Sequence, residues 1–151
     1  MTNEELVRTY WRAYRTDDRE AMSSLRHPDW SVEYPQSRER IRGDANMQAM
    51  LEHYPGGSPP RLDEPRFVGS DRWIMTPVFT VQKIVGGGDF WWGDGFARYP
   101  DGSLWYIVAL IQVRDGKIYR ETDYFAAPFD APAWRAEWVE PMDATEPTAT
   151  T

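Results

Sequence analysis

The sequence predicts an α+β fold in which three helices near the N-terminus are wrapped by a long, curved antiparallel sheet. Apolar residues recur every three to four positions as far as Tyr54, and from about Leu62 they alternate every second position. Eight Trp, eight Tyr and six Phe in 151 residues add a demand for a large packed interior.

Each element has its own local signal. Leu6, Val7, Tyr10, Trp11 and Tyr14 share one helical face behind a Thr2/Glu5 capping pair, so the first helix begins there. Asp17 and Glu20 repeat the capping pattern ahead of Ala21, Met22 and Leu25, and Pro28 forbids that second helix from continuing. A brief strand is read from Trp30 to Pro35. Gly43-Asp44 then opens a third helix whose Met47, Met50, Leu51 and Tyr54 form an apolar face, and Pro55-Gly56-Gly57 stops it. Alternation follows through Pro65 to Gly69, Trp73 to Val85, Phe90 to Tyr99, Leu104 to Arg114 and Lys117 to Phe125. Gly86-Gly87-Gly88-Asp89, Pro100-Asp101-Gly102 and Asp115-Gly116 supply the positive backbone angles of tight hairpins, which makes the last three strands sequential neighbours. Gly93-Asp94-Gly95 reads as a kink or bulge inside one of them. A strongly bent sheet around helices leaves a pocket.

The length suits one domain, read as residues 1–129, with a C-terminal extension over 130–151 whose last ten or so residues are expected to be disordered. A formal charge of −7 argues against nucleic acid or an anionic membrane as a partner. The absence of cysteine removes disulfides, thiolate catalysis and cysteine-bound zinc. His27 and His53 have no partner at ligand spacing, so no metal site and no Ser-His-Asp triad is read. Met1 to Glu5 carries no signal-peptide pattern and no stretch reaches the length of a membrane span, so a cytoplasmic protein is expected.

The candidate chemistry rests on tyrosines and carboxylates. Tyr10 and Tyr14 lie one turn apart and point their phenols toward the sheet, either as core or as the wall of a pocket. In the last strand Tyr119, Glu121, Asp123 and Phe125 share one face, and Ile118, Arg120, Thr122 and Tyr124 share the other. If the first face looks inward, two carboxylates enter an aromatic cavity, where burial and mutual repulsion raise a pKa and make a proton shuttle. If it looks outward, they are solvated charges, and the usual exposure of acidic side chains leans that way.

The opening helix with Tyr10-Trp11-Arg12-Ala13-Tyr14, the strand Ser31-Val32-Glu33-Tyr34-Pro35, Arg42-Gly43 before the third helix, and Asp115-Gly116-Lys117-Ile118 leading to Asp123-Tyr124-Phe125 resemble, in order and spacing, the nuclear-transport-factor-2-like superfamily. Its SnoaL-like, ketosteroid-isomerase-like and scytalone-dehydratase-like branches are included, and the likeness runs from about Glu4 to Phe125. The resemblance implies a cone of curved sheet and three helices with a deep apolar pocket, and a homodimer through the outer face of the sheet. The ketosteroid-isomerase pattern puts its oxyanion-hole tyrosine on Tyr10, but its base aspartate falls on Tyr34 and its second aspartate near Ala109, so that route is not implied. The scytalone-dehydratase pattern matches its two water-orienting tyrosines to Tyr14 and Tyr34, while one of its histidine positions is Arg66. The SnoaL-like pattern places an acid/base aspartate in the closing strands, where Asp123 stands, and in this register Glu121, Asp123 and Phe125 face the cavity.

The reading is therefore a small-molecule pocket protein working by cofactor-free proton transfer on a small, mostly apolar, in some cases cyclic molecule, as an isomerase, dehydratase, cyclase or epoxide hydrolase. Asp123, Tyr34 and Tyr14 are the candidate catalytic residues. Tyr10, Met50, Arg66, Ile107, Glu121 and Phe125 are the candidate binding residues, with Glu121 also modulating the ionisation of Asp123. The alternative is a non-catalytic ligand-binding or protein-interaction module of the same fold.

Overall fold

A computed structural model describes residues 1–57, 59–62, 66–67, 73–75, 81–83 and 86–141, with Arg61 and the short strands from Arg66 to Lys83 followed through the backbone alone. The first helix, α1 (Asn3–Thr16), starts as the capping pair dictates. The Thr2 hydroxyl accepts from the Glu5 amide and the Glu5 carboxylate accepts from the Thr2 amide. Leu6, Val7, Tyr10, Trp11 and Ala13 are buried beneath it, and Asp17 closes it in the left-handed conformation. With Asp17 so placed, the cap of α2 (Arg19–Leu25) is Asp18, whose carboxylate accepts from the Ala21 amide.

The chain passes from α2 directly into β1 (Arg26–Tyr34), earlier than the Trp30 start expected from alternation. The next strand, β2 (Glu39–Arg42), has no period-two signal and folds back antiparallel on β1. Gly43, at φ +77°, makes the turn into α3 (Asp44–Glu52). Beyond it come β3 (Arg61–Leu62), β4 (Arg66–Phe67), β5 (Trp73–Met75) and β6 (Val81–Lys83). The single strand expected from Trp73 to Val85 is not formed. Its described parts pair with each other as a separate two-stranded sheet, and Pro77 between them has no N–H to give a continuous ladder.

The closing meander forms as expected, as β7 (Phe90–Arg98), β8 (Leu104–Arg114) and β9 (Lys117–Ala126). The main sheet has the order β2-β1-β9-β8-β7-β3, with β4 also on β7. It is antiparallel except where β1 runs parallel to β9. The Asp115-Gly116 turn has positive φ at both residues, +51° and +68°, as a two-residue hairpin with the twist of its strands requires. The Gly86 to Asp89 turn is closed by one bridge between Gly87 and Phe90.

Two irregularities lie elsewhere than expected. Gly93-Asp94-Gly95 carries no bulge, since these residues pair in unbroken register with Ala109, Val108 and Ile107. The bulge is in β9, where Gln112 pairs with Arg120 and Val113 with Ile118, leaving Tyr119 as the extra residue. It turns Ile118 fully into the core, whereas strict alternation grouped Ile118 with Arg120, Thr122 and Tyr124. The second break is in β1, between Arg26 and Ser31, opposite β9. Pro28 sits inside it, where no ladder N–H is missed.

Leu6, Val7, Tyr10, Trp30, Val32, Val113 and Ile118 form the fully buried centre. No described helix is long and apolar enough to cross a membrane. Past β9 a 3-10 turn forms at Ala133–Trp138, and its Trp134 and Trp138 remain exposed. Residues 142–151, including the tail expected to be disordered, lie outside the described residues.

Gly116→Ala places a Cβ in the left-handed region of the hairpin turn, so it should lower the unfolding free energy by about 1 kcal/mol. Urea titration with an unchanged m-value is the check, and an undiminished midpoint would show that the turn relaxes at no cost.

Candidate functional site

Between the helices and the inner face of the sheet lies a cavity of about 480 Å³, within the range of small-molecule sites. Tyr10 and Tyr14 enter it from α1 with their rings edge-to-face at 5.2 Å. The β1 strand contributes Arg26 and Tyr34, β9 contributes Glu121, Asp123 and Phe125, and Met50, Ile107 and Ala109 add apolar wall. Gln36 pins the rim to β9, its side-chain amide donating to the Phe125 carbonyl and accepting from the Phe125 N–H.

Arg26 organises the deep end. It is 6% exposed and carries a charge it cannot lose, so every face of its guanidinium needs a partner. Its Nε donates to the Tyr10 hydroxyl at 2.8 Å and its Nη2 to the Tyr14 hydroxyl at 3.0 Å. Its Nη1 pairs with the Asp44 carboxylate at the start of α3, and Asp44 also accepts from the Ser23 hydroxyl at 2.7 Å. The guanidinium lies 3.8 Å from the centroid of the Trp30 ring. Partial burial pushes the Asp44 carboxyl upward, but the hydrogen bonds from Ser23 and Arg26 outweigh it and hold Asp44 below its ordinary pKa.

Glu121 and Asp123, two residues apart on one face of β9, meet opposite conditions. Glu121 Oε1 accepts from the Tyr10 hydroxyl and from Trp30 Nε1 at 3.0 Å. Burial raises its pKa, and the Arg26 charge and these donors pull back against that rise. Asp123 is 9% exposed, and its buried Oδ1 has no hydrogen-bond partner among the described residues. Burial first, and the neighbouring Glu121 charge second, push its pKa well above the usual carboxylate range, with Arg26 opposing. Asp123 therefore holds its proton far more readily than a free aspartate. Ala109 pairs with it on β8 and offers only a methyl group. On the other side, β1 and β9 pair Val32 with Glu121 and Glu33 with Thr122, so the same register carries Tyr34 to Asp123.

Tyr34 packs its ring on Phe125 at 5.8 Å, and its hydroxyl makes no hydrogen bond among the described residues. Burial raises the Tyr14 and Tyr34 phenols, which keeps both neutral and able to donate. The Tyr10 hydroxyl is already committed, donating to Glu121 and accepting from Arg26.

Of the residues singled out in the sequence, Tyr10, Tyr14, Tyr34, Met50, Ile107, Glu121, Asp123 and Phe125 line this cavity. Arg66 pairs with Asp94 in the backbone of β4 and β7, and its side chain lies outside the described residues. Arg26, Trp30 and Asp44 were not singled out. The available signal was chemical: two phenols and a glutamate turned into one core need a cation, and Arg26 follows the apolar Leu25 and shares strand parity with Trp30 four residues on.

No family model and no curated protein sequence matches the chain. Among solved structures, it is similar to an NTF2-like protein of unknown function from Burkholderia xenovorans LB400, with 31% identity, a TM-score of 0.67, and 92% of this chain and 94% of that one covered. It is also similar to a candidate ketosteroid isomerase from Kribbella flavida, with 23% identity and a TM-score of 0.65 over 93% of this chain and 90% of that one. An LEH-like epoxide hydrolase from M. tuberculosis shares the fold at 18% identity and a TM-score of 0.56, with 80% of each chain covered.

Arg26→Met should cost about 3–5 kcal/mol, because Glu121 and the phenols are left buried without their cation. Chemical unfolding should show a smaller loss at pH 5 than at pH 8, since protonation then relieves Glu121; an equal loss at both would mean that Arg26 acts by packing alone. Asp123 has a second, separable signature. Its folded pKa is raised, so its contribution to stability is complete below the unfolded value of about 3.9 and is lost as pH rises through the folded value. Asp123→Asn should flatten that fall, and parallel stability–pH curves for the two proteins would contradict the raised pKa.

Proposed function

We propose that this chain, which belongs to the NTF2-like family, is a cofactor-independent acid/base enzyme of the isomerase, dehydratase, cyclase or epoxide hydrolase type. Its substrate is a small, mostly apolar, in some cases cyclic molecule held in the cavity. The observation that carries this reading is the Asp123 carboxyl, buried in the cavity wall with one oxygen unpartnered. A buried polar atom left without a partner is costly, and a bound molecule or water that pairs with it removes that cost.

In this reading Asp123 gives its proton to a substrate oxygen or takes one from a substrate C–H or water, according to its state at the start of the step. A pKa lifted above the usual carboxylate range by burial lets the group carry a proton as well as accept one. Glu121 is held by Tyr10 and Trp30, so it keeps its geometry and supplies the charge that raises Asp123. The uncommitted Tyr34 hydroxyl, with Tyr14 beside Arg26, donates to oxygen that gains negative charge in the transition state. Tyr10 serves as the brace between Arg26 and Glu121 rather than as a direct donor to substrate.

A homodimer belongs to the same reading, because Tyr106, Leu110 and Tyr124 remain 43–46% exposed on the outer face of the sheet. Sedimentation as a monomer at micromolar concentration would remove it.

The catalytic assignment is tested by incubating a metabolite extract with the wild type and, in parallel, with Asp123→Asn, and reading both by untargeted mass spectrometry. A compound consumed by the wild type alone is expected, and the mass change names the reaction class, with an unchanged mass and a shifted retention time for an isomerase. Tyr34→Phe should slow the same conversion by about 10²-fold. A compound retained by the wild type and never altered would favour the non-catalytic binding module instead.

A further inference from the structure

We infer that the ligand of this cavity is an apolar, ring-containing amine, bound as its ammonium ion against the carboxylate of Asp123. The inference deepens the reading of the cavity as a ligand site and rests on it. Its first support is the charge of the lining. Among the described residues, the acidic side chains lining the cavity are Asp17, Glu39, Glu121 and Asp123, against Arg26 as the one basic side chain.

Its second support is that every nitrogen of Arg26 already donates to a group of the protein itself. Its three nitrogens are held by Tyr10, Tyr14 and Asp44, and its face by Trp30. One cation is thus shared between Asp44, which it touches, and Glu121, which it reaches through Tyr10. The deep end carries an excess negative charge before Asp123 ionises at all. A carboxylate or phosphate ligand would add to that excess inside a region of low dielectric.

A neutral ligand could accept from a protonated Asp123, but it would leave the charge imbalance where it is. An ammonium group answers both needs. It donates to the Asp123 carboxylate in the cavity wall as a charge-assisted hydrogen bond, and it supplies the missing positive charge. The rings of Tyr14, Tyr34 and Phe125 line the same wall, where π-systems attract a cation and stack on an apolar ring. The titratable and charged groups facing Asp123 are Tyr10 and Tyr14 from α1, Arg26 and Tyr34 from β1, and Glu121 from its own strand, while β8 presents only Ala109 and Ile107. With these neighbours Asp123 holds a proton more readily than a free aspartate, and an arriving ammonium displaces that proton to solvent. Binding thus converts the acid into the base that a proton abstraction from the substrate needs.

The test compares three probes with one ring system: naphthylmethylamine, naphthalenemethanol and naphthoate, titrated calorimetrically into the full-length protein at pH 7. The amine should bind at least about tenfold more tightly than the alcohol, and naphthoate most weakly. Asp123→Asn should bring the amine and alcohol within about threefold of each other. The wild-type enthalpy with the amine should also differ between buffers of unlike ionisation heat, because a proton is released, and the alcohol should show no such difference. That second measurement holds even if the variant folds poorly. Alcohol binding as tight as the amine, an amine preference that survives in Asp123→Asn, or no proton release would each overturn the assignment while leaving the cavity a ligand site. Binding of none of the three would overturn the cavity reading together with it.

Discussion

A guanidinium buried beneath two phenols and an indole is the constraint on which the interior of this protein depends. Arg26 cannot discharge itself, so burying it obliges the surrounding elements to bring oxygen and π-density to fixed positions. They come from four places: Tyr10 and Tyr14 from α1, Asp44 from α3, Trp30 from β1 and Glu121 from β9. The network therefore ties two helices to the adjacent strands β1 and β9. Its members support one another, and loss of one leaves the others desolvated and unpaired, which is costlier than the network is stabilising.

The placement of that network depends on two irregularities in strands that pattern alone would make regular. In β1 the pairing with β9 is interrupted between Arg26 and Ser31, and Arg26 and Trp30, four residues apart and so on one face, are both buried on either side of Pro28. In β9 the extra residue Tyr119 lets Ile118 fill the core while Glu121, Asp123 and Phe125 keep the inner face. A slip of one residue in β9 would send the carboxylates outward, and one in β1 would do the same to Arg26 and Trp30. The parallel pairing of β1 with β9 sets Val32 against Glu121, and the same register brings Tyr34 near Asp123.

Much of the fold was legible because its signals are local. The Thr2/Glu5 cap, the stripe on α1 and the Asp115-Gly116 turn each specify their conformation within a few residues. The stretch from Leu62 to Val85 was not, since alternation continues past Pro77 and says nothing of which strand is the partner. The direction of the β9 face was undecided by alternation. It is fixed by Tyr10 and Trp30, separated from Glu121 by 111 and 91 residues, and such contacts leave no trace in local periodicity. Arg26 escaped notice because a charged residue at a helix end is ordinarily solvated, and only the assembled cone takes the water away.

The contrast between Glu121 and Asp123 gives the site its chemical asymmetry. Both carboxyls are buried, and both stand near one cation. Glu121 takes the donors of Tyr10 and Trp30, whereas Asp123 faces Ala109 and the open cavity. A fold selected for stability alone would supply a donor at position 109 or exchange Asp123 for an apolar residue, because an unpaired buried oxygen costs on the order of 1–3 kcal/mol. The cost is tolerable where an occupant of the cavity completes the hydrogen bond. The two carboxyls on one strand are thus unlike: the first is held by donors from a helix and a neighbouring strand, and the second lines the cavity with one oxygen that has no partner among the described residues.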